Sequence, residues 1–482
     1  MSSDFPLRTP HSLPLSRRQM LQLSGLGFGS IALQFMRHAE QLQASSGADP
    51  DRTGRAHFEP QAKAVIMMIQ HGGVSQMDVL DPKPELTRLN GKQYSIKLEV
   101  QQTGSQSNTL LATHKKFTKR GQCGMEISEV LPHLGDLADD LCLVRSMYTE
   151  HNNHPHGHLM LMTGRVVEGR PSIGSWISYA LGTENQNLPA YVVLRDPSGE
   201  EANTLWSSGW MPATYRGTEF SSEGDPILNL RSHRQQPQGI QRNSLELLDT
   251  LNRLHLRHYP RDHRLESRIR NYELAARMQL EAMQVVGTSN ETPQMQKLYG
   301  IDNPTSRKYG RRCLLARKLV EAGVRFIQIY PPTELSWDSH ADFGVADKIA
   351  AATDLPAAGL IQDLKQRGLL DSTIIFWSGE FGRLPISQNT HGRDHNRHAF
   401  SLLLAGGGFE QGHLHGATDE VGNRAVEGRV GVPDLHATIL NQLGLDHNRV
   451  TYNHAGRDES LTDSVVTGAR VVREILDRDS LA

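Results

Sequence analysis

Four histidines fall within eight residues, His151, His154, His156 and His158, ahead of an apolar run, Leu159–Met162, that closes on Thr163-Gly164-Arg165. Imidazole is the commonest metal ligand and titrates near neutral pH, so such a cluster suits a metal centre or general acid–base work. More ionisable groups recur downstream. Trp337-Asp338-Ser339-His340 carries an acid and a histidine, Gly379-Glu380-Phe381-Gly382-Arg383 carries an acid and a base, and His391, Arg393, Asp394, His395 and His398 crowd one short stretch. Mixed histidine and carboxylate donors suit zinc, manganese or iron better than calcium or a magnesium bound by oxygen alone. One such histidine would be a solvated side chain; this concentration marks a site.

The elements between these clusters say how they are positioned. Ala62–Ile69, Asp140–Met147, Leu188–Leu194, Val324–Tyr330, Thr373–Ser378 and Phe400–Ala405 read as short apolar strands. Helical patterns run through Leu265–Val286, Arg311–Ala322 and Ala357–Arg367. Uninterrupted apolar strands alternating with helices predict an α/β fold, a mostly parallel central sheet with helices on both faces. In such sheets ligands bind beyond the C-terminal ends of the strands. The clusters at His71–Asp81, Thr149–His158, Trp337–His340, Gly379–Arg383 and His391–His398 therefore should converge on one edge.

Composition narrows the function classes. A chain of 482 residues with a formal net charge of −2 and no basic tract is not built to bind nucleic acid. Its three cysteines, Cys123, Cys142 and Cys313, are too few and scattered for a disulfide framework or a zinc knuckle. At the N-terminus, Ser16-Arg17-Arg18-Gln19-Met20-Leu21-Gln22 matches the twin-arginine export pattern and precedes a moderately apolar run to Met36. That run is too short and Gly/Ser-rich for a stable membrane span. Residues 1–44 are expected to be a twin-arginine signal peptide and 45–60 a linker, with 61–482 a single domain. Partnership with the twin-arginine machinery would place the mature chain in the periplasm or outside the cell. The Trp- and Gly-rich stretch near 198–241 shows no sustained period and reads as an insertion, either a cap over the site or a packed surface loop.

Gly72–Pro84, Gly379–Arg383, Gly392–Asn396 and Pro433–Leu440 followed by Gly456-Arg457-Asp458 together resemble the bacterial family called domain of unknown function 1501. The resemblance spans nearly the whole mature chain. It implies an alkaline-phosphatase-like fold and the chemistry of the alkaline phosphatase and sulfatase superfamily, transfer or hydrolysis of phosphate and sulfate esters, mostly with two bound metals. It also implies metal ligands here: Asp338, His340 and His395 for one ion, Glu380 in place of an Asp for the other, and Asp78 as the carboxylate of the first loop. Two departures stand out. Phe381 replaces a histidine, and His154 occupies the position of the sulfatase nucleophile. Attack would then come from water activated at the site, or from Ser75 or Thr149, with His154 as ligand or proton carrier and Arg393 among the arginines clamping an oxyanion.

Two functions follow from these residues. One is an exported hydrolase of phosphate or sulfate esters using one or two divalent ions, zinc or manganese, on an anionic ester derived from a polysaccharide. The other is a degenerate relative that keeps the fold, with or without metal, to bind a glycan or a partner.

Overall fold

The computed structural model describes residues 56–101, 103–196, 203–222, 238–259, 263–286 and 291–477. Residues 1–44, expected to be a twin-arginine signal peptide, lie outside them. Two compact units are distinguished, a smaller one containing 232–276 and a larger one comprising 52–231 and 277–482.

The larger unit is organised on a nine-stranded sheet. Its strands are β1 (Ala64–Ile69), β2 (Leu141–Tyr148), β3 (Tyr191–Leu194), β4 (Thr218–Phe220), β5 (Phe326–Ile329), β6 (Thr373–Ser378), β7 (Phe400–Ala405), β8 (His413–His415) and β9 (Val430–Gly431). The order is β8-β2-β7-β6-β1-β5-β3-β4, with β9 also pairing β2. β1 sits centrally, parallel to β5 (Val65 opposite Phe326) and to β6 (Val65 opposite Ile374). Every residue of β1, β6 and β7 is buried, which explains why they read as unbroken apolar runs.

Helices cover both faces. Val65, Met67 and Ile69 share one core with Leu159–Met162 of α1 (His154–Thr163), Ile173, Trp176 and Ile177 of α2 (Ile173–Leu181), and Leu435, Ile439 and Leu440 of α7 (Val432–Gln442). On the other face, Met68, Ile375, Trp377 and Leu403 meet Ala357 and Ile361 of α6 (Gly344–Gln366). Beside α6 runs α5 (Arg307–Glu321), joined to it by Arg317 and Asp363 at 3.0 Å. The described part of the smaller unit is helix α3 (Gln238–His258) and the first part of α4 (His263–Val286).

The sheet is mostly parallel, as expected. Within the stretch near 198–241, Thr218–Phe220 forms edge strand β4, parallel to β3, and Trp206 and Phe220 are buried. Strand β7 runs antiparallel to both its neighbours, β2 and β6. Its reversed direction puts the residues just before it, including His395, at the same sheet edge as residues just after the parallel strands. Among the described residues no helix is long and apolar enough to cross a membrane.

Candidate metal centre

Helix α1 brings in the first of the converging side chains. Leu159–Met162 are buried in the sheet core, each contributing ~1.5–3 kcal/mol, and they fix the helix against the strands. Its first residue is His154, followed by Pro155 in the first turn, where the missing N–H costs nothing, and it ends on Gly164 in the left-handed conformation (φ 74°). The loop after β1 turns at Gly72 (φ 105°), where a Cβ would lie 2.6 Å from the backbone N of Asp338. Only glycine lets the loop carrying Asp338 and His340 come that close.

Four side chains meet at this edge: His154, Asp338, His340 and His395 each offer one donor atom, all within 4.8 Å of one another. Asp338 Oδ1 lies 2.8 Å from His340 Nε2, 3.2 Å from His395 Nε2 and 3.3 Å from His154 Nε2. Each imidazole is held from behind at Nδ1. His154 Nδ1 is 2.6 Å from Glu380 Oε1, His340 Nδ1 is 2.6 Å from Gln388 Oε1, and His395 Nδ1 is 2.7 Å from the Asn152 carbonyl. The Gln388 amide N donates to the Thr103 carbonyl at 3.0 Å, so its own carbonyl faces His340. Carboxylates and carbonyls only accept, so each Nδ1 carries a proton and donates it. In the neutral rings every Nε2 then presents a lone pair inward.

That arrangement fits a cation. His340 Nε2 and His395 Nε2 stand 3.0 Å apart, and the buried His154 Nε2 has no hydrogen-bond partner. Facing lone pairs repel unless a proton or an ion lies between them. Donor atoms in a tetrahedral zinc site stand about 3.3 Å apart, close to the spacings seen here. Histidines locked at the far nitrogen by carboxylate or carbonyl acceptors are also the usual outer support of a metal site.

The electrostatics favour positive charge at this point. Burial alone would raise the Asp338 carboxyl, but hydrogen bonds from His154, His340 and His395, with Arg383 beside it, hold it far below the usual range. Burial would lower His154, yet the Asp338 and Glu380 carboxylates beside it push it up to about 9. His395 is lowered, by burial first, against the raising effect of Asp338. Glu380, fully buried, is kept well below the carboxylate range by His158 and His154 despite its desolvation. Arg383 ties the loops together. It donates to the Gly73 and Arg393 carbonyls at 2.9 Å each, to the Gly72 carbonyl, and to Asp338 Oδ1 at 2.5 Å.

The remaining expected site residues lie elsewhere. Asp78, expected among the ligands, is clamped by Arg393, with Nε 2.7 Å from Oδ2 and Nη2 3.2 Å from Oδ1. Arg393 is thereby engaged in a buried ion pair. Ser75 donates its hydroxyl to the same Asp78 and is not among the four converging side chains. Thr149 is buried at the end of β2, its hydroxyl without a hydrogen-bond partner, and it is not among the four converging side chains. His154 stands among the four converging side chains, and Glu380 stands behind it. Gln388 and the Asn152 carbonyl escaped the sequence reading. A neutral amide in a loop and a backbone oxygen carry no spacing signal.

Comparison with solved structures returns the PsFucS1 sulfatase from Pseudoalteromonas sp. (13% identity, 87% of this chain and 72% of that one, TM-score 0.34). It also returns the phosphonate monoester hydrolase SpPMH from Silicibacter pomeroyi (14%, 85% and 77%, TM-score 0.32) and an alkaline phosphatase superfamily protein from Vibrio parahaemolyticus (11%, 87% and 76%, TM-score 0.33). The chemistry is read from this chain's own side chains. No curated protein matches the sequence. The model of DUF1501, described as a protein of unknown function, matches residues 62–476, and the chain belongs to that family.

Proposed function

We propose that this protein is an exported, metal-dependent hydrolase of phosphate or sulfate esters. The observation that carries the reading is the inward convergence of three imidazole Nε2 atoms on Asp338, each ring locked at Nδ1. His154, Asp338, His340 and His395 would hold the ion, zinc or manganese by their donor chemistry. Bound there, a divalent ion supplies Lewis-acid polarisation of a phosphoryl or sulfuryl oxygen.

The chain's own groups prepare the site for such a substrate. His154, His340 and Asp338 are 30%, 24% and 31% exposed at their side chains while His395 is 4% exposed, so the group is walled on one side and open on the other. An ester can approach from the open side. Arg383 neutralises part of the Asp338 charge and stiffens the loop that carries it. Ser75 is not among the four converging side chains, and we assign the attacking oxygen to water entering from the open side. The substrate class we propose is an anionic ester, such as one derived from an extracellular polysaccharide, met after twin-arginine export.

One observation favours a second reading. Four protein ligands can close a tetrahedral site, and closed sites are structural rather than catalytic. The protein would then bind a glycan or partner around a structural ion. Purified protein loaded with Zn²⁺ or Mn²⁺ and assayed on aryl phosphate, phosphodiester and sulfate esters separates the two. Turnover abolished by chelation supports the hydrolase; full metal content with no turnover supports the binder.

A further inference from the structure

Ester hydrolases often use two ions about 3.5–4 Å apart, so the ion count decides how this site can act. Beyond the four converging side chains, the donors nearest the centre are Glu380 and His158, whose Nε2 lies 3.5 Å from Glu380 Oε1. On position alone these two would form a second site.

Their engagements point the other way. Both Glu380 oxygens accept the Gly72 N–H, at 3.0 and 3.2 Å, and Oε1 also accepts from His154 Nδ1. The His154 ring therefore stands between Glu380 and the point where the Nε2 atoms meet. Next to Glu380, the Phe381 ring fills the adjoining space. Its centroid is 5.0 Å from that of His154 and 4.6 Å from that of His395. A Cβ on Gly157 would lie only 3.0 Å from Phe381 Cδ1, so the ring is wedged against helix α1. Glu380 and Phe381 are both fully buried, which leaves no open coordination face on that side. The nearest other carboxylate of the first loop, Asp78, is saturated by Arg393.

We infer that the centre takes a single divalent ion, and that Glu380 is a positioning residue that orients His154 from behind while Phe381 fills the place of a second ion. This inference rests on the metal reading proposed above. It implies that charge building up on the side of the substrate away from the ion is met by protein groups or by water, not by a partner ion.

The test is metal stoichiometry on the full mature chain, stripped with chelator, titrated with Zn²⁺ and separately with Mn²⁺, then desalted and analysed for metal per folded chain. One ion per chain is the expected result. Two ions per chain would overturn the single-ion inference and leave the hydrolase proposal standing. None with either metal would overturn the metal reading itself. Variants separate ligand from positioning residue. Glu380→Gln keeps an acceptor for His154 Nδ1 and should retain one ion, bound 10–100-fold more weakly. Glu380→Leu removes the acceptor and should weaken binding further, whereas loss of one of two ions in both variants would make Glu380 a ligand. His158→Asn, a second check should the Glu380 variants not fold, should leave the count at one; a fall from two to one would refute the inference.

Discussion

Two sets of charged side chains lie at the same sheet edge and behave differently. Asp78 and Arg393 close on each other through two hydrogen bonds, with both residues buried, and every charged atom of the carboxylate has a protein partner. Asp338, by contrast, faces three imidazoles whose protons are turned away toward Glu380, Gln388 and Asn152. The ion pair is complete without help. The imidazole group is not, because its inward nitrogens need a proton or a metal ion between them. Residue type does not distinguish the two sets; the direction in which the hydrogen-bond donors point does.

The largest effect expected from breaking this contrast is on metal content. His395→Ala and Asp338→Ala should each empty the centre in the folded fraction, and the double variant should add little, because the two residues act on one ion. Metal analysis of the folded fraction reads this out. Arg393→Ala should do the reverse. It leaves the buried Asp78 carboxylate unpaired, at a cost of about 3–5 kcal/mol in denaturant unfolding, with metal per folded chain unchanged. Metal loss in Arg393→Ala would show that the ion pair belongs to the centre after all.

Two buried histidines sharpen the comparison through pH. His154, between two carboxylates, is pushed up to about 9, whereas His436, buried without a carboxylate and bonded to the Leu161 carbonyl, is pushed down to about 4. A depressed folded value means that the unfolded chain takes up the proton first. The His436 contribution is therefore fully present above its ordinary value of 6.5 and lost as pH falls through about 4. The loss amounts to roughly 3 kcal/mol at 1.36 kcal/mol per pH unit. Unfolding measured between pH 7 and pH 4 should show this slope flattened in His436→Gln. The smallest effect on the folded molecule is expected from Arg17→Lys with Arg18→Lys. The mature domain is untouched, but precursor should accumulate in the cytoplasm, and normal export of that variant would remove the basis for the assignment.

How far the sequence shows these things depends on what kind of information each needs. β1, β6 and β7 are legible because they are buried on both faces, which leaves no polar alternation. Asp338, His340 and His395 are legible as candidates because they follow or precede such strands closely. The antiparallel direction of β7 is not legible, since an apolar run looks the same in either direction. The roles of His154 and Glu380 turn on which ring nitrogen faces which oxygen, a matter of side-chain rotation. The Asp78–Arg393 pair joins residues 315 positions apart, and its only local trace is two charged residues that also suit a site.

The most direct test of the central claim is X-ray absorption spectroscopy at the edge of the metal bound by the purified, reconstituted protein. A first shell of three imidazole nitrogens and one carboxylate oxygen at ~2.0–2.2 Å is predicted for zinc, with one nitrogen lost in His154→Ala. A protein that binds neither Zn²⁺ nor Mn²⁺, or a shell unchanged when His154 is removed, would contradict it.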